Sequence, residues 1–577
     1  MKTSVQAQEF AIIDTLGPFI EKTENGTVNW SKVIFSSLET NGRLDSAVQE
    51  RIVERFELYA TRVARLGYTG LSIDDVAHLI SFPFYNSQLK NLISDYQNLY
   101  TQLFAIAQKK RLKLYLNTDY LFLNPDITQY MNVHGIAPSD FFADALSTLF
   151  TQYPQIDGII LRIGENDGKD VTGTFLSQLV LKTPRQANNL LKQILPIFEA
   201  HHKTLIFRTW TVGVYRIGDL IWNEKTFNTV FGSIKSDSLI ISMKYGDTDF
   251  MRYLPLNPLF FASSHKKLIE LQTRREWEGM GLYPSFVGWD YANYLTSLKT
   301  AENIVGIHVW CQTGGWTRRT WSNVTYLENS SLWNELNTEI TLAIAHQQSV
   351  EAAITSFCDS HDIKDVPRFI ELLHLSDIAI KKGLYLPEVA QKNLYFRRTR
   401  IPPLIWLTWD RILLSSLVVW LHRMLVSKPE KAIQDGDQAA NAAQKMITIA
   451  RQIHLQPTLI QSLEFEHATL AIFAQLRRYI LIGLTKDEQD KLQKQIHVYE
   501  KTYPQHYSIP TLPFRTMKRL PFQGSLKLIL RESSAYRKRD RLILKTSPLQ
   551  ARAIRYFLKR SRSHLTDQSM GFDAFFK

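Results

Sequence analysis

The stretch GIILRIGENDGKD, Gly158 to Asp170, passes from small and aliphatic residues into an arginine, a glutamate, a lysine and two aspartates set between glycines. A continuous apolar run is what a strand covered on both faces looks like, and charged groups are almost never buried without partners. The strand therefore ends at a place built to hold charge.

Seven further runs of the same kind flank it: KVIFSSLE (32–39), TGLSIDD (69–75), LKLYLNTD (112–119), TLIFRTW (204–210), LIISMKYGD (239–247), LIELQTRRE (268–276) and IVGIHVWCQ (304–312). Between them lie patterns such as VQERIVERFELYATRVARLG and ANNLLKQILPIFEAHH, whose apolar residues recur at helical spacing. Eight strand–helix alternations in about 300 residues are the count and size of an α/β fold of the (β/α)₈ TIM-barrel type, whose active site lies at the carboxyl ends of the strands. The barrel is expected over residues 1–335 and an all-helical domain over 336–510, with a basic C-terminal tail over 511–577. Within the helical part, IPPLIWLTWDRILLSSLVVWLHRML (401–425) reads as one buried helix. A membrane span would put Asp410 and Arg411 near the bilayer centre at several kcal/mol.

With 45% hydrophobic and 21% charged residues, the composition is that of a soluble globular chain of two or three domains. The net charge of +13 is concentrated at one end: residues 511–577 hold 16 Lys+Arg against 4 Asp+Glu, leaving 52 against 51 for the rest. There Arg552, Arg555, Lys559 and Arg562 recur at helical steps, the pattern of a basic amphipathic helix suited to an anionic surface or polymer. Two cysteines, Cys311 and Cys358, exclude a disulfide framework and a Cys-rich zinc site. The opening MKTSVQAQEF has no apolar signal core, so a cytoplasmic location is expected. No P-loop, dinucleotide fingerprint, His-Glu-x-x-His or Gly-x-Ser-x-Gly occurs, and no metal or cofactor is expected.

Three carboxylates fall at strand ends: Glu165 after the fourth, Asp249 after the sixth and Glu276 at the seventh. Together they suit acid–base work on a glycosidic bond, where one carboxyl protonates the leaving oxygen and another, ionised, activates water or attacks carbon. Arg162, Arg208 and Lys244 share the rim, either as partners of these carboxylates or as a fork for a carboxylate-bearing substrate. Trp210, Trp289 and Trp310 offer faces for sugar rings, or simply packing.

IISMKYGDTDFMRYLPLNPLF followed by IELQTRREWEG resembles the α-glucuronidases of glycoside hydrolase family 67. Lys244, Gly246, Asp249, Phe250, Pro258, Leu259 and Phe260, then Glu270, Gln272 and Glu276, follow that family's pattern in order and spacing. The resemblance implies Glu165 as general acid, Asp249 and Glu276 as the carboxylates that activate water, and Arg208 and Lys244, with Arg162, as cations for a uronate. It implies inversion, with acid and base about 6.5–9.5 Å apart. The family's N-terminal β-sandwich has no counterpart, and Asp74-Asp75 stand where it has two asparagines. The expected partner is an oligosaccharide, with a homodimer through the helical domain. A barrel glycosidase for a neutral sugar and a non-catalytic carbohydrate-binding or scaffold protein are the rival readings.

Overall fold

The computed structural model describes residues 9–20, 32–165, 173–211, 215–312, 326, 330–414, 416–512, 530–546, 549 and 552. Eight parallel strands close into a barrel: β1 (Phe10–Asp14), β2 (Gly70–Asp74), β3 (Lys113–Asp119), β4 (Gly158–Arg162), β5 (Thr204–Arg208), β6 (Leu239–Lys244), β7 (Lys266–Gln272) and β8 (Ile304–Trp310). Each neighbours the next in sequence, and β1 closes the ring on β8. The TIM barrel expected from the alternation is therefore present.

One strand lies elsewhere than the sequence suggests. The first is FAIID at Phe10–Asp14, whereas 32–39 holds a 3₁₀ turn (Phe35–Ser37) and the start of a two-residue hairpin, Glu39–Thr40 with Arg43–Leu44. Val33 and Lys32 are drawn to side chains instead of a ladder: the Val33 amide donates to Asp74 Oδ2 at 2.9 Å, and Lys32 Nζ pairs with Asp119 at 2.6 Å. This segment thus packs on the ends of β2 and β3.

Alternation along the strands divides the barrel interior into two levels. The lower level is an apolar plug of Phe10, Ile12, Tyr115, Ile160, Ile206, Ile240 and Leu268. Two residues further along the same strands come Asp14, Asn117, Arg162, Arg208, Ser242 and Glu270. Period two carries each strand from the plug directly into the polar level.

The helices outside follow their apolar stripes. Ser46–Leu66 starts at Asp45, whose carboxylate accepts from the Ala47 and Val48 amides, and ends at Gly67 with φ 104°. Its stripe Val48, Ile52, Phe56, Tyr59, Ala60 and Val63 is buried against the barrel, where each large side chain contributes about 1.5–3 kcal/mol. The helix Leu332–Ala345 belongs to this layer too, since Tyr68 Oη donates to the Thr338 carbonyl and the Thr273 and Thr338 hydroxyls pair.

From Val350 the chain is mostly helical, its long helices being Val366–Gly383, Pro429–Gln452 and Pro457–Leu481. The 401–425 stretch is not one helix. Pro402 and Pro403 each disfavour a helical conformation of the residue before them, Trp409 turns with φ 45°, and Leu407–Thr408 pairs with Arg411–Ile412 before a helix over Ser416–Leu425. Among the described residues no helix is long and apolar enough to cross a membrane. Nor is all of 511–577 a free tail. Arg531 and Tyr395 exchange backbone hydrogen bonds at 2.7 and 3.0 Å, Arg531 and Asp540 are buried, and Tyr536 Oη donates to Asp219. Residues 555–562 of the expected basic helix lie outside the described residues.

Candidate functional site

The polar upper level collects polar and charged side chains from six strands. On β5, Arg208 donates from Nε and Nη2 to the two oxygens of Glu270 on β7, at 2.9 and 2.7 Å. Ser242 Oγ on β6 and Trp310 Nε1 on β8 donate to the same carboxylate at 2.8 and 3.2 Å, and the Arg208 guanidinium lies 4.5 Å from the Trp310 ring centre. Burial would raise the Glu270 carboxyl, but Arg208 holds it down at about 2. This pair is a permanent dipole fixed across three strands.

Glu165 stands three residues past the end of β4, with Oε1 3.5 Å from Arg208 Nη1 and its other oxygen, Oε2, buried without a hydrogen-bond partner among the described residues. Gly164 allows that exit, because a Cβ there would collide with the Trp210 carbonyl. Around the ring, Arg162 pairs with Asp119 at 2.8 Å and Asp74 at 3.5 Å. Asp74 and Asp14, both fully buried, are pushed up to about 6 by desolvation despite the nearby arginines Arg162 and Arg274.

The third group forms past β6 and β7. Lys244 Nζ donates to Asp249 Oδ1 at 2.6 Å and lies 3.5 Å from the Trp210 ring centre. Asp249 also accepts from its neighbour's amide at Phe250 and from Trp277 Nε1, both at 2.9 Å. Burial raises its carboxyl, but Lys244 and these donors outweigh burial and hold it below the usual range. Glu276 goes the other way: burial, then the Asp249 charge, raise it despite Arg274, which donates to Oε2 at 2.7 Å. Two neighbouring carboxyls therefore have proton affinities driven apart, the arrangement that separates roles in acid–base sites.

Glu165, Asp249, Glu276, Arg162, Arg208, Lys244 and Trp210 thus stand at or just past the strand ends, as the sequence suggests. Trp310 is nearly fully buried beneath Arg208 and serves as packing for it. Trp289 stands apart. It stands in the first turn of the helix Gly288–Ser297, stacks on His374 with ring centres 4.0 Å apart and donates to Glu351 at 3.3 Å, so the ring is packed against the helical region. Glu270, Trp277 and Arg274 carry no role in the sequence-based reading. Glu270 is legible in principle, because a glutamate two residues after an inward leucine must also face inward. Away from the mouth, Glu335, Glu339 and His361 converge closely enough to hold a metal ion, but Arg62 already occupies that cluster at 2.9 Å from Glu335.

No protein-family model and no curated protein matches this sequence. Among solved structures, a GH138 enzyme targeting pectin rhamnogalacturonan II aligns with a TM-score of 0.50 at 11% identity, over 86% of this chain and 61% of its own. A variant of the Thermobaculum terrenum O-GlcNAc hydrolase aligns with a TM-score of 0.37 at 10% identity, over 78% of this chain and 86% of its own. The chain therefore spans about three-fifths of the GH138 enzyme, and at this identity the likeness is one of fold.

Proposed function

We propose that the protein is a glycoside hydrolase that works by single displacement, with Glu165 as general acid and Glu276 as the base that takes a proton from water. The observation that carries this reading is the opposed pair Asp249 and Glu276, at the same end of the barrel as Glu165 with its Arg208 contact. Asp249 is saturated with donors, which makes it a poor base but a good fixed anion. That anion raises the proton affinity of Glu276, and a carboxylate with raised affinity abstracts a proton more readily. Glu165, with one oxygen unpartnered among the described residues, can present a proton to a leaving oxygen.

For the sugar, the resemblance of Lys244, Asp249 and Glu276 to the α-glucuronidase pattern favours an α-linked uronic acid, with Arg208 and Lys244 facing its carboxylate. One observation favours a neutral sugar instead: Arg162, Arg208 and Lys244 each already pair with a carboxylate, Asp119, Glu270 and Asp249 respectively. A release assay over paired uronic and neutral aryl glycosides separates the two readings. The role of Glu165 is tested on the substrate found. Glu165→Gln should lower kcat/KM about 10²–10⁴-fold on alkyl linkages and spare substrates with very acidic leaving groups. Equal losses on both kinds remove Glu165 from the acid role.

A further inference from the structure

Asn117 lies on β3 one inward step beyond Tyr115 of the apolar plug, 1% exposed, and neither Nδ2 nor Oδ1 has a hydrogen-bond partner among the described residues. Register sets it between Asp74 of β2 and Ile160 of β4. Two further inward residues share the condition: His308 on β8, whose Nε2 meets Ser72 Oγ at 3.1 Å while Nδ1 is unpartnered, and Gln272 on β7, whose Nε2 is unpartnered. His308 is neutral, because burial depresses it to about 3.

Buried polar groups are nearly always hydrogen-bonded, and each one left unmade costs about 1–3 kcal/mol. Several such atoms on three strands of one barrel interior call for a polar guest. The chemistry of the orphaned groups selects the guest. An amide offering both a donor and an acceptor, a second amide N–H and a neutral imidazole carry no net charge, and a sugar hydroxyl is the small group that donates and accepts at once. A closed apolar plug lies beneath, so a ring reaching these groups enters end-on, as the terminal unit of a chain.

We propose that Asn117 is a specificity-determining residue that reads a hydroxyl of a terminal sugar at the floor of the barrel mouth, with His308 and Gln272 on the far side of the ring of strands. The proposal rests on the glycosidase reading and adds to it an exo mode of attack. It also differs from the rim chemistry in using only neutral groups.

The test is a thermodynamic cycle on aryl glycosides and their 2-, 3- and 4-deoxy forms, run with the wild-type protein and Asn117→Ala. With the wild type, removal of one particular hydroxyl should lower kcat/KM by about 10²-fold or more, because a site built around a hydroxyl strongly rejects the analogue lacking it. In Asn117→Ala the same removal should cost less than about threefold, the partner being already gone. Uniform tolerance of all three deletions by the wild type overturns the proposal and needs no variant to fold. Unchanged discrimination in Asn117→Ala also overturns it and leaves the floor to ordered water. If the wild type cleaves no glycoside, the glycosidase reading fails by itself. Calorimetric titration of free monosaccharides then decides the Asn117 proposal: binding weakened at least about tenfold by Asn117→Ala supports it, and absent or unchanged binding overturns it.

Discussion

Five consecutive residues, Arg274-Arg275-Glu276-Trp277-Glu278, feed two buried ionic networks that differ in one respect. Arg275 and Glu278 turn toward the helical region. There Glu278 accepts from Arg275 at 3.1 and 2.6 Å, from Arg252 at 3.2 Å, from Tyr385 at 2.5 Å and from Ser285. Arg252 continues to Asp290 at 2.6 Å and Asp377 at 3.1 Å, joining the exit of β6 to the helix Val366–Gly383. Among the described residues, Arg252, Arg275 and Glu278 leave no buried polar side-chain atom unpartnered. Arg274, Glu276 and Trp277 turn toward the mouth, where Glu165, Asn117, Gln272 and His308 do leave such atoms. A saturated network can only hold elements together, whereas an unsaturated one has capacity left for a ligand.

That contrast breaks most visibly in stability. Glu278→Gln leaves Arg252 and Arg275 buried without their shared anion, which should cost about 3–5 kcal/mol of folding free energy, read as a lowered urea midpoint. Glu276→Gln, two residues away, should abolish most turnover yet shift stability by less than about 1 kcal/mol, since the folded state already disfavours the Glu276 charge that the amide removes, whereas it favours that of Glu278. Equal destabilisation by the two substitutions would erase the distinction between the networks.

A smaller effect sharpens the description of the mouth. The Glu276 carboxyl stands above its ordinary value through burial first and the Asp249 charge second. If ionised Glu276 is the base, kcat/KM falls on the acid side as pH drops through that raised value. Asp249→Asn removes one of the two raising causes, so the folded-state value drops and the acid limb should move to lower pH, with a reduced plateau. An acid limb that stays in place in Asp249→Asn assigns the limb to another group.

Seven barrel strands are legible because fully buried parallel strands are continuous apolar runs ending in polar residues. The first escapes such a reading since VIF in KVIFSSLE imitates the short apolar run of the true strand, FAIID. What decides between them is long-range: Phe10–Ile13 pairs with Gly306–Val309 about 300 positions away. The rim carboxylates and cations are legible from their place at strand ends. Glu270 is harder to find, because a glutamate inside LIELQ looks like a strand-face residue until Arg208, 62 positions earlier, is seen to meet it. Charge alone suggests a free tail, but the docking of Arg531 and Tyr536 depends on Tyr395 and Asp219, contacts that carry no local signal.

The smallest expected effect separates two tryptophans that lie twelve positions apart, Trp277 and Trp289. Trp277 is bonded through Nε1 to Asp249 Oδ2 at 2.9 Å and stacks on Trp409 with ring centres 4.7 Å apart, while Trp289 packs on His374. Trp277→Phe keeps an aromatic ring but deletes a donor to a charged group, a bond worth about 1.5–3 kcal/mol, so kcat/KM should fall about tenfold or more. Trp289→Phe keeps a ring on His374 and loses only an exposed bond to Glu351 at 3.3 Å. It should cost less than about 1 kcal/mol in stability and leave KM and kcat unchanged. A raised KM in Trp289→Phe, with Trp277→Phe active as wild type, would move the proposed substrate-facing surface from the exit of β7 to the helix Gly288–Ser297.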